Sequence, residues 1–156
     1  MNIYLKLFIS IIVCLAVGGI SGYLTTSEIT TWYATLQKPS FNPPNYLFGP
    51  VWTILYIMMA ISFWLIWKSD ASETLKNKAI LLFGIQLILN FFWSIIFFSL
   101  HQLGFALAEI IAMWVFILLS ILAFYPISKP AAIMLIPYLC WVSFASILNF
   151  SIWRLN

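Results

Sequence analysis

Residues 79–126 read AILLFGIQLILNFFWSIIFFSL, then HQLG, then FALAEIIAMWVFILLSILAFYP. Two apolar runs, at 79–100 and 105–126, therefore flank one short polar segment. A helix needs roughly 20 apolar residues to cross the hydrocarbon core of a bilayer. The stretch predicts two membrane-spanning helices joined by a tight turn.

The composition of the whole chain excludes most other classes of protein. Hydrophobic residues make up 64% of the 156 positions and charged residues 7%, whereas soluble proteins carry about 45–50% and about 25%. A formal net charge of +3 is too small for a nucleic-acid partner, whose binding relies on many phosphate contacts. Two cysteines exclude a disulfide scaffold. The remaining class is an integral membrane protein whose surroundings are the lipid bilayer.

Three further charge-poor intervals are long enough to cross a membrane. The runs do not alternate between polar and apolar residues as barrel strands do, so each crossing is expected to be a helix, which bonds its own backbone groups in lipid. The sequence thus predicts an all-α bundle of five transmembrane helices in a single domain, residues 1–156. The predicted spans are about 5–25, 49–67, 79–100, 105–126 and 130–152.

Lysine and arginine residues predict the orientation of the bundle in its membrane. Positively charged residues favour the inner side of the membrane. With five crossings, the predicted inner side holds five of them and the outer side two, so we expect the amino terminus inside and the carboxyl terminus and first loop outside. The inner set is Lys6, Lys68, Lys76, Lys78 and Lys129, and the outer set is Lys38 and Arg154.

The segment at about 26–48 is much longer than the other predicted connections. Three prolines stiffen it, because proline restricts both its own backbone and that of the preceding residue. Long connections in compact folds often act as lids or binding loops, but aromatic residues also gather at the membrane interface. Both interpretations stay open. The aromatic residues are Trp32, Tyr33, Phe41, Tyr46 and Phe48.

Polar residues recur every four positions in the third span, at Gln86, Asn90 and Ser94. This spacing places them on one helix face, and polar groups in lipid normally point into the bundle. They could join helices through hydrogen bonds, with Asn149 of the fifth span as a partner, or form the polar wall of a pocket. Trp93 adjoins the same face.

The fifth span contains a proline, a mid-membrane tryptophan and a small residue on one side. Pro137 should kink the helix, and Ala145 leaves room beside Trp141. Depth along the helices places Trp52, Trp93 and Trp141 between the outer end and the middle of the membrane. They either pack together or surround one cavity.

Two glycines in the first span, Gly18 and Gly22, form a G-x-x-x-G pattern. Such a pattern lets two helices approach closely, within one chain or across a dimer.

Conventional catalytic sets are missing from the sequence. It contains no Ser/His/Asp arrangement, carboxylate pair, phosphate-binding glycine loop or metal-ligand cluster, so the sequence predicts no metal site and no conventional enzyme. An aromatic cavity with a few uncharged polar groups suits a large, flat, mostly apolar ligand. Two other classes stay open: a small membrane transporter, for which Glu109 would be the acidic coupling group, and a stress-signalling membrane protein without chemistry.

Four motifs together resemble the TspO/MBR family, the tryptophan-rich sensory or translocator proteins. They occur in order along nearly the whole chain. They are WYATLQKPSFNPP at 32–44, PVWTILY at 50–56, QLILNFFWS at 86–94 and PYLCWVSFASILN at 137–149.

The resemblance implies a five-helix membrane protein, often a homodimer, that binds porphyrins such as protoporphyrin IX or haem as ligands and needs no cofactor. In bacterial members it also implies light-dependent porphyrin breakdown, with Trp52 and Trp141 as the reacting tryptophans. Transport of tetrapyrroles or other hydrophobic molecules is the alternative. Carried over by motif, the ligand-binding residues would be Trp32, Tyr33, Pro43, Pro44, Trp52, Asn90, Trp93, Trp141 and Ala145.

Overall fold

The computed structural model describes all 156 residues and contains helices without strands. Five helical segments are long and apolar enough to cross a membrane, which confirms the predicted all-α bundle of five membrane helices. The elements are α1 (Ile3–Thr30), α2 (Trp32–Thr35), α3 (Asn45–Trp67), α4 (Glu73–Ser94) continued by a π-helical turn (Ile95–Ser99), α5 (Leu103–Phe124), α6 (Lys129–Met134) and α7 (Ile136–Leu155).

The first connection is shorter than the 26–48 segment that the sequence suggested. Helix α1 continues to Thr30, α2 begins at Trp32 and ends at Thr35, and α3 begins at Asn45, so only Thr31 and residues 36–44 of this segment lie outside helices. The serine and threonine residues at the end of α1 do not break it, because their hydroxyls bond back to carbonyls of the same helix. The Oγ1 of Thr26, for example, donates to the Gly22 carbonyl at 2.7 Å.

Helix boundaries at the other end of the bundle also extend beyond the predicted spans. Helix α4 begins at Glu73 because the Ser72 side chain caps it, accepting from the Leu75 N–H at 3.4 Å. A carboxylate in the first turn favours this helix end electrostatically. The charged residues of this turn are helical although they lie outside the apolar run, since helix formation does not require apolar residues.

Two irregularities interrupt the regular helices of the bundle. The π-helical turn ends α4, where the Leu100 N–H donates to the Ile95 carbonyl at 2.9 Å. In the last membrane segment, Pro137 divides the helix into α6 and α7 at Leu135. At the predicted kink the structure thus shows a one-residue interruption, in which Leu135 keeps helical backbone angles, because the nitrogen of Pro137 cannot donate to the preceding turn.

Helix α1 packs closely on α3 at Gly18. A Cβ atom at this position would overlap the ring of Tyr56, whereas a Cβ at Gly19 would meet nothing within 4 Å. Gly18 therefore serves a helix contact within the chain, one of the two roles that the G-x-x-x-G pattern predicts. The contact also brings the Tyr56 phenol into the interior, where only 6% of the residue is exposed.

We expect Gly18→Ala to lower the free energy of unfolding by about 1–2 kcal/mol, because overpacking forces a buried ring to move. Gly19→Ala is the matched control and should not lower it, since its methyl group meets open space and alanine favours a helix over glycine. Thermal unfolding of both variants in the same detergent measures the difference. Equal midpoints for the two variants would contradict this packing.

Candidate functional site

A cavity of about 400 Å³ lies at the end of the bundle that holds the first connection. It is enclosed by α1, α3, α7, the end of α4 and the π-helical turn. This volume falls in the range of small-molecule pockets, roughly 300–1,000 Å³. It forms there because α7 presents the small residue Ala145 and α1 presents Gly22 where larger side chains would fill the space.

Three tryptophans from three different helices line the cavity: Trp52 of α3, Trp93 of α4 and Trp141 of α7. The ring of Trp52 packs against that of Tyr56, with centroids 5.7 Å apart. The ring of Trp141 packs against that of Phe144 at 5.5 Å. Neighbouring rings thus hold the indoles as walls of the cavity.

A buried hydrogen-bond network forms the floor. Tyr56 donates its hydroxyl to Asn90 Oδ1, Asn90 Nδ2 donates to the Tyr138 hydroxyl at 2.7 Å, and the Tyr138 hydroxyl donates to Gln86 Oε1 at 2.8 Å. Polar networks whose members all have partners rigidify a core. The cavity is therefore closed towards the middle of the bundle by a rigid polar layer.

The spacing of Gln86 and Asn90 predicts an interior location, and both side chains are indeed buried. Their partner, however, is not Asn149. Asn149 instead accepts from the Trp93 indole N–H at 3.1 Å and donates to the Leu103 carbonyl at 3.0 Å. Tyr56 reaches Asn90 from α3, and Tyr138 reaches it because α7, which begins at Ile136, places this tyrosine at the depth of Asn90.

Trp141 carries the one fully buried polar side-chain atom among the cavity-lining residues that has no hydrogen-bond partner. Its Nε1–H is buried and has no acceptor within the protein, whereas the indole N–H groups of Trp93 and Trp114 are both paired. Leaving a buried donor without a partner costs about 1–3 kcal/mol. An acceptor atom on a ligand would remove this cost.

Six of the nine sequence-predicted ligand residues line the cavity: Tyr33, Trp52, Asn90, Trp93, Trp141 and Ala145. The other three, Trp32, Pro43 and Pro44, do not. Trp32 does not line the cavity, because its ring stacks on that of His101. It also forms a T-shaped pair with Phe97, which does line the cavity. The two prolines lead into α3, and Asn45 and Phe48 of that helix occupy the wall instead.

Sequence reasoning missed one wall of the cavity. Helix α1 contributes Gly18, Gly22, Thr25 and Ile29, and their spacing of three and four residues marks a single helix face. This stripe of mostly small residues is the signal available in the sequence. The G-x-x-x-G pattern uses only its two glycines, and it predicts a helix contact, within the chain or across a dimer, instead of a cavity wall. No pattern in the sequence signals Phe97, which the π-helical turn directs into the cavity.

The cavity opens sideways between α1 and α3. Gly19 and Thr26 of α1, and Gly49 and Thr53 of α3, line it and are also exposed on the surface of the bundle. No side chain covers the gap, since a Cβ atom at Gly19 or Gly49 would meet nothing within 4 Å. The opening therefore faces the lipid between two membrane helices.

The first connection is held to Tyr33, which lines the cavity, although none of residues 36–44 lines it. The Tyr33 hydroxyl donates to Asn42 Oδ1 at 3.0 Å, and the Lys38 ammonium lies 4.5 Å from the centre of the Tyr33 ring. Burial raises the pKa of the Tyr33 phenol, which keeps it a neutral donor. Asn156 holds the same segment by exchanging two hydrogen bonds with the backbone of Gln37.

Glu109, the acidic residue considered for ion coupling, lies in α5 and does not line the cavity. Both carboxyl oxygens are buried and have no hydrogen-bond partner. The carboxyl group thus points into the protein instead of reaching towards the membrane surface.

Comparison with known proteins agrees with these features. The model of the TspO/MBR family matches residues 10–154. Tryptophan-rich protein TspO of Chlorobaculum tepidum is 47% identical over 152 residues, 97% of this chain and 96% of the relative. The protein of the same name from Archaeoglobus fulgidus is 45% identical over 156 residues, 100% and 99% of the two chains. Human translocator protein is 41% identical over 128 residues, 80% and 75%.

Proposed function

The chain belongs to the TspO/MBR family of integral membrane proteins, and from this membership and its cavity we propose that it binds porphyrins, such as protoporphyrin IX or haem, and related flat hydrophobic ligands. The observation that carries the proposal is the set of three indoles around one cavity, Trp52, Trp93 and Trp141. Aromatic walls contact a flat π-system over its whole face.

The polar groups of the cavity suit the edge of such a ligand. The Nε1–H of Trp141 has no acceptor in the protein, and a rotation of the indole that exposes it to the cavity would let it donate to a carbonyl or carboxylate oxygen. Thr25 and Thr26 of α1 supply hydroxyl oxygens that line the cavity. The sideways opening between α1 and α3 suits a ligand that is dissolved in the bilayer. A small number of polar groups in a mostly apolar pocket fixes the orientation of a ligand and does not require the ligand to be charged.

The test is a titration of the protein, reconstituted in nanodiscs, with protoporphyrin IX. Contact with the three indoles should quench tryptophan fluorescence saturably at about one ligand per chain. Empty nanodiscs containing free tryptophan methyl ester control for partition of the porphyrin into lipid. Quenching that rises linearly without saturation would remove the binding proposal.

Binding is favoured over transport by the floor of the cavity. A transport path must open towards the other side of the membrane, and the hydrogen bonds among Tyr56, Asn90, Tyr138 and Gln86 close that direction. Glu109, the only buried acid, does not reach the cavity. The geometry therefore supports a receptor more than a carrier.

We further propose light-dependent degradation of the bound porphyrin. An electron passes from an indole to the excited porphyrin, which leaves a tryptophan radical cation and a porphyrin radical anion. Dissolved dioxygen, the co-reactant, adds to a ring carbon of the radical anion, and the adduct returns one electron to the tryptophan radical cation, so that the net change is addition of dioxygen to the pigment. Trp52 and Trp141 are the proposed donors because both rings line the cavity.

Under illumination in air, we expect Trp52→Phe and Trp141→Phe each to slow the loss of bound protoporphyrin at least about threefold at saturating ligand. Phenylalanine keeps an aromatic wall but is much harder to oxidise than an indole. Trp67→Phe, at the opposite end of α3, is the matched control and should leave the rate unchanged. Absorbance at the porphyrin Soret band measures the loss, and equal rates in all four proteins would exclude Trp52 and Trp141 as the electron donors.

We also propose that the amino-terminal end of α1 lies on the inner side of the cell membrane, so that the cavity lies near the outer side. Three lysines at that end of the bundle hold their ammonium groups over aromatic rings: Lys6 over Trp67, Lys68 over Trp64 and Lys129 over Tyr125. Lysine and arginine residues in short connections are in excess on the inner side of the membrane. This end of the bundle holds five of them, whereas the other end holds only Lys38 and Arg154. Reaction of a single introduced cysteine with an impermeant thiol reagent, in whole cells, tests the orientation.

A further inference from the structure

We propose that His101 is a positioning residue for the cavity: it fastens α2 to the rest of the bundle and slows the release of bound ligand when its imidazole carries a proton. This inference rests on the proposed binding function, because release of a ligand is its principal readout. It concerns residues that do not touch the cavity themselves.

His101 joins three parts of the fold. It lies in the turn between the π-helical end of α4 and α5, and its Nε2 is 2.9 Å from Oε2 of Glu28, in the last turns of α1. Its ring stacks on that of Trp32, the first residue of α2, with centroids 4.0 Å apart and planes at 13°. One side chain thus connects the α4–α5 turn with both elements that precede the first connection.

The backbone conformation of His101 also indicates that its contacts with Glu28 and Trp32 stabilise the turn. Its φ of 55° makes it the only residue other than glycine with a positive φ in the chain. The left-handed region is costly for most side chains, and asparagine, aspartate and histidine tolerate it best. The surrounding structure must hold such a residue in place, and the ion pair and the stacked ring are the interactions available to do so.

Trp32 transmits this fastening to the cavity. It precedes Tyr33, which lines the cavity and bonds Asn42 of the first connection. The Trp32 ring also meets the edge of Phe97, a second lining residue, at 6.0 Å. If Trp32 lost its contact with His101, the cavity-lining residues Tyr33 and Phe97 would be held less firmly. The first connection, which is bonded to Tyr33, would be held less firmly too.

The charges around His101 determine the sign of its pH dependence. Among the elements packed against it, Glu28 of α1 is the group that pairs with it. The other titratable or charged groups at this end, Tyr33, Lys38 and Arg154, form no ion pair or hydrogen bond with it, and Glu109 lies two turns along α5. Histidine side chains change charge between about pH 5 and 8.

Protonation strengthens both contacts. A neutral imidazole donates one hydrogen bond to the Glu28 carboxylate, whereas the imidazolium adds attraction between opposite charges and places a cation against the face of the Trp32 indole. The fastening is therefore tighter at low pH and looser at high pH. Because partly exposed pairs contribute little, the expected change in release rate is only about threefold.

The experiment measures release of protoporphyrin IX dimethyl ester from the protein in nanodiscs at pH 6 and pH 8. The ester lacks the ionisable propionates, so its own side chains do not titrate. Release is measured as the recovery of tryptophan fluorescence after the ester-loaded protein is mixed with an excess of empty nanodiscs. Wild-type protein should release the ester about threefold more slowly at pH 6 than at pH 8.

His101→Asn should release the ester quickly and equally at both pH values, because asparagine keeps the left-handed backbone but cannot be protonated. Glu28→Gln keeps an acceptor without the charge and should flatten most of the pH profile. Glu73→Gln removes the exposed acid of the Lys76 pair at the opposite end and should keep the wild-type profile. A pH slope that survives in His101→Asn would overturn the proposal.

Hydrogen exchange of residues 31–42 supplies a readout without ligand. After correction for intrinsic rates, wild-type amides should be better protected at pH 6 than at pH 8, and those of His101→Asn equally protected at both. Failure of the ester to bind wild-type protein saturably would count against the proposed function, while the exchange data would still decide the role of His101. Saturable binding with pH-independent release and exchange would defeat the role of His101 alone.

Discussion

Replacing Ala145 with phenylalanine should weaken porphyrin binding at least about 100-fold, which corresponds to about 2.7 kcal/mol. Ala145 is only 8% exposed and lines the cavity one helical turn beyond Trp141. A benzyl group at this position would project into the space that the ligand occupies. Because the cavity is otherwise open there, the fold should accept the larger side chain.

The matched control for this variant is Ile147→Phe. Ile147 lies two residues further along α7, is 58% exposed and faces outward from the bundle. The same aromatic ring placed there should leave binding unchanged. Fluorescence titrations with protoporphyrin IX compare the two variants, and circular dichroism verifies that both are folded. Wild-type affinity in Ala145→Phe would mean that the ligand binds outside this cavity.

Replacing Asn90 with leucine should lower the free energy of unfolding by about 2–3 kcal/mol. Asn90 is 3% exposed, and it accepts from Tyr56 and donates to Tyr138. Leucine would leave the Tyr56 hydroxyl buried without its acceptor and remove a donor from Tyr138. Each buried polar group that loses its partner costs about 1–3 kcal/mol, whereas the individual hydrogen bonds between membrane helices contribute less.

Asn77→Leu supplies the control on the same helix. Asn77 is exposed in the first turns of α4, so the same chemical change there should shift the unfolding midpoint little. Both variants are compared with wild-type protein by thermal unfolding in one detergent. If Asn90→Leu unfolds at the same temperature as Asn77→Leu, the tyrosine–asparagine network does not hold the floor of the cavity.

The helical plan could be predicted from the sequence because it depends on local chemistry. Apolar runs such as 105–126 must be helical in lipid. The short polar segment at 101–104 predicts a turn whichever helices lie nearby. The burial of Gln86 and Asn90 was predictable for the same reason, since the cost of exposing an amide to lipid does not depend on its partner. The cavity positions of Trp52, Trp93 and Trp141 followed from their depth along the helices and from the family motifs.

The partners of these groups depended on how the helices are rotated and placed against one another. Trp32 and Tyr33 are neighbours in one motif, yet only Tyr33 lines the cavity, because a histidine 69 positions away along the chain stacks on Trp32. Asn90 forms hydrogen bonds with Tyr56 and Tyr138 instead of Asn149, because α7, which begins at Ile136, places Tyr138 at the depth of Asn90.

The sequence by itself thus determined how many helices cross the membrane and which residues avoid lipid, since each helix satisfies its own backbone and each residue carries its own transfer cost. Only the tertiary structure decided that Trp141 lacks an acceptor, that small residues of α1 form a wall, and that His101 holds α2. Those properties belong to pairs of side chains from distant segments, whose contact is decided by packing of the whole bundle.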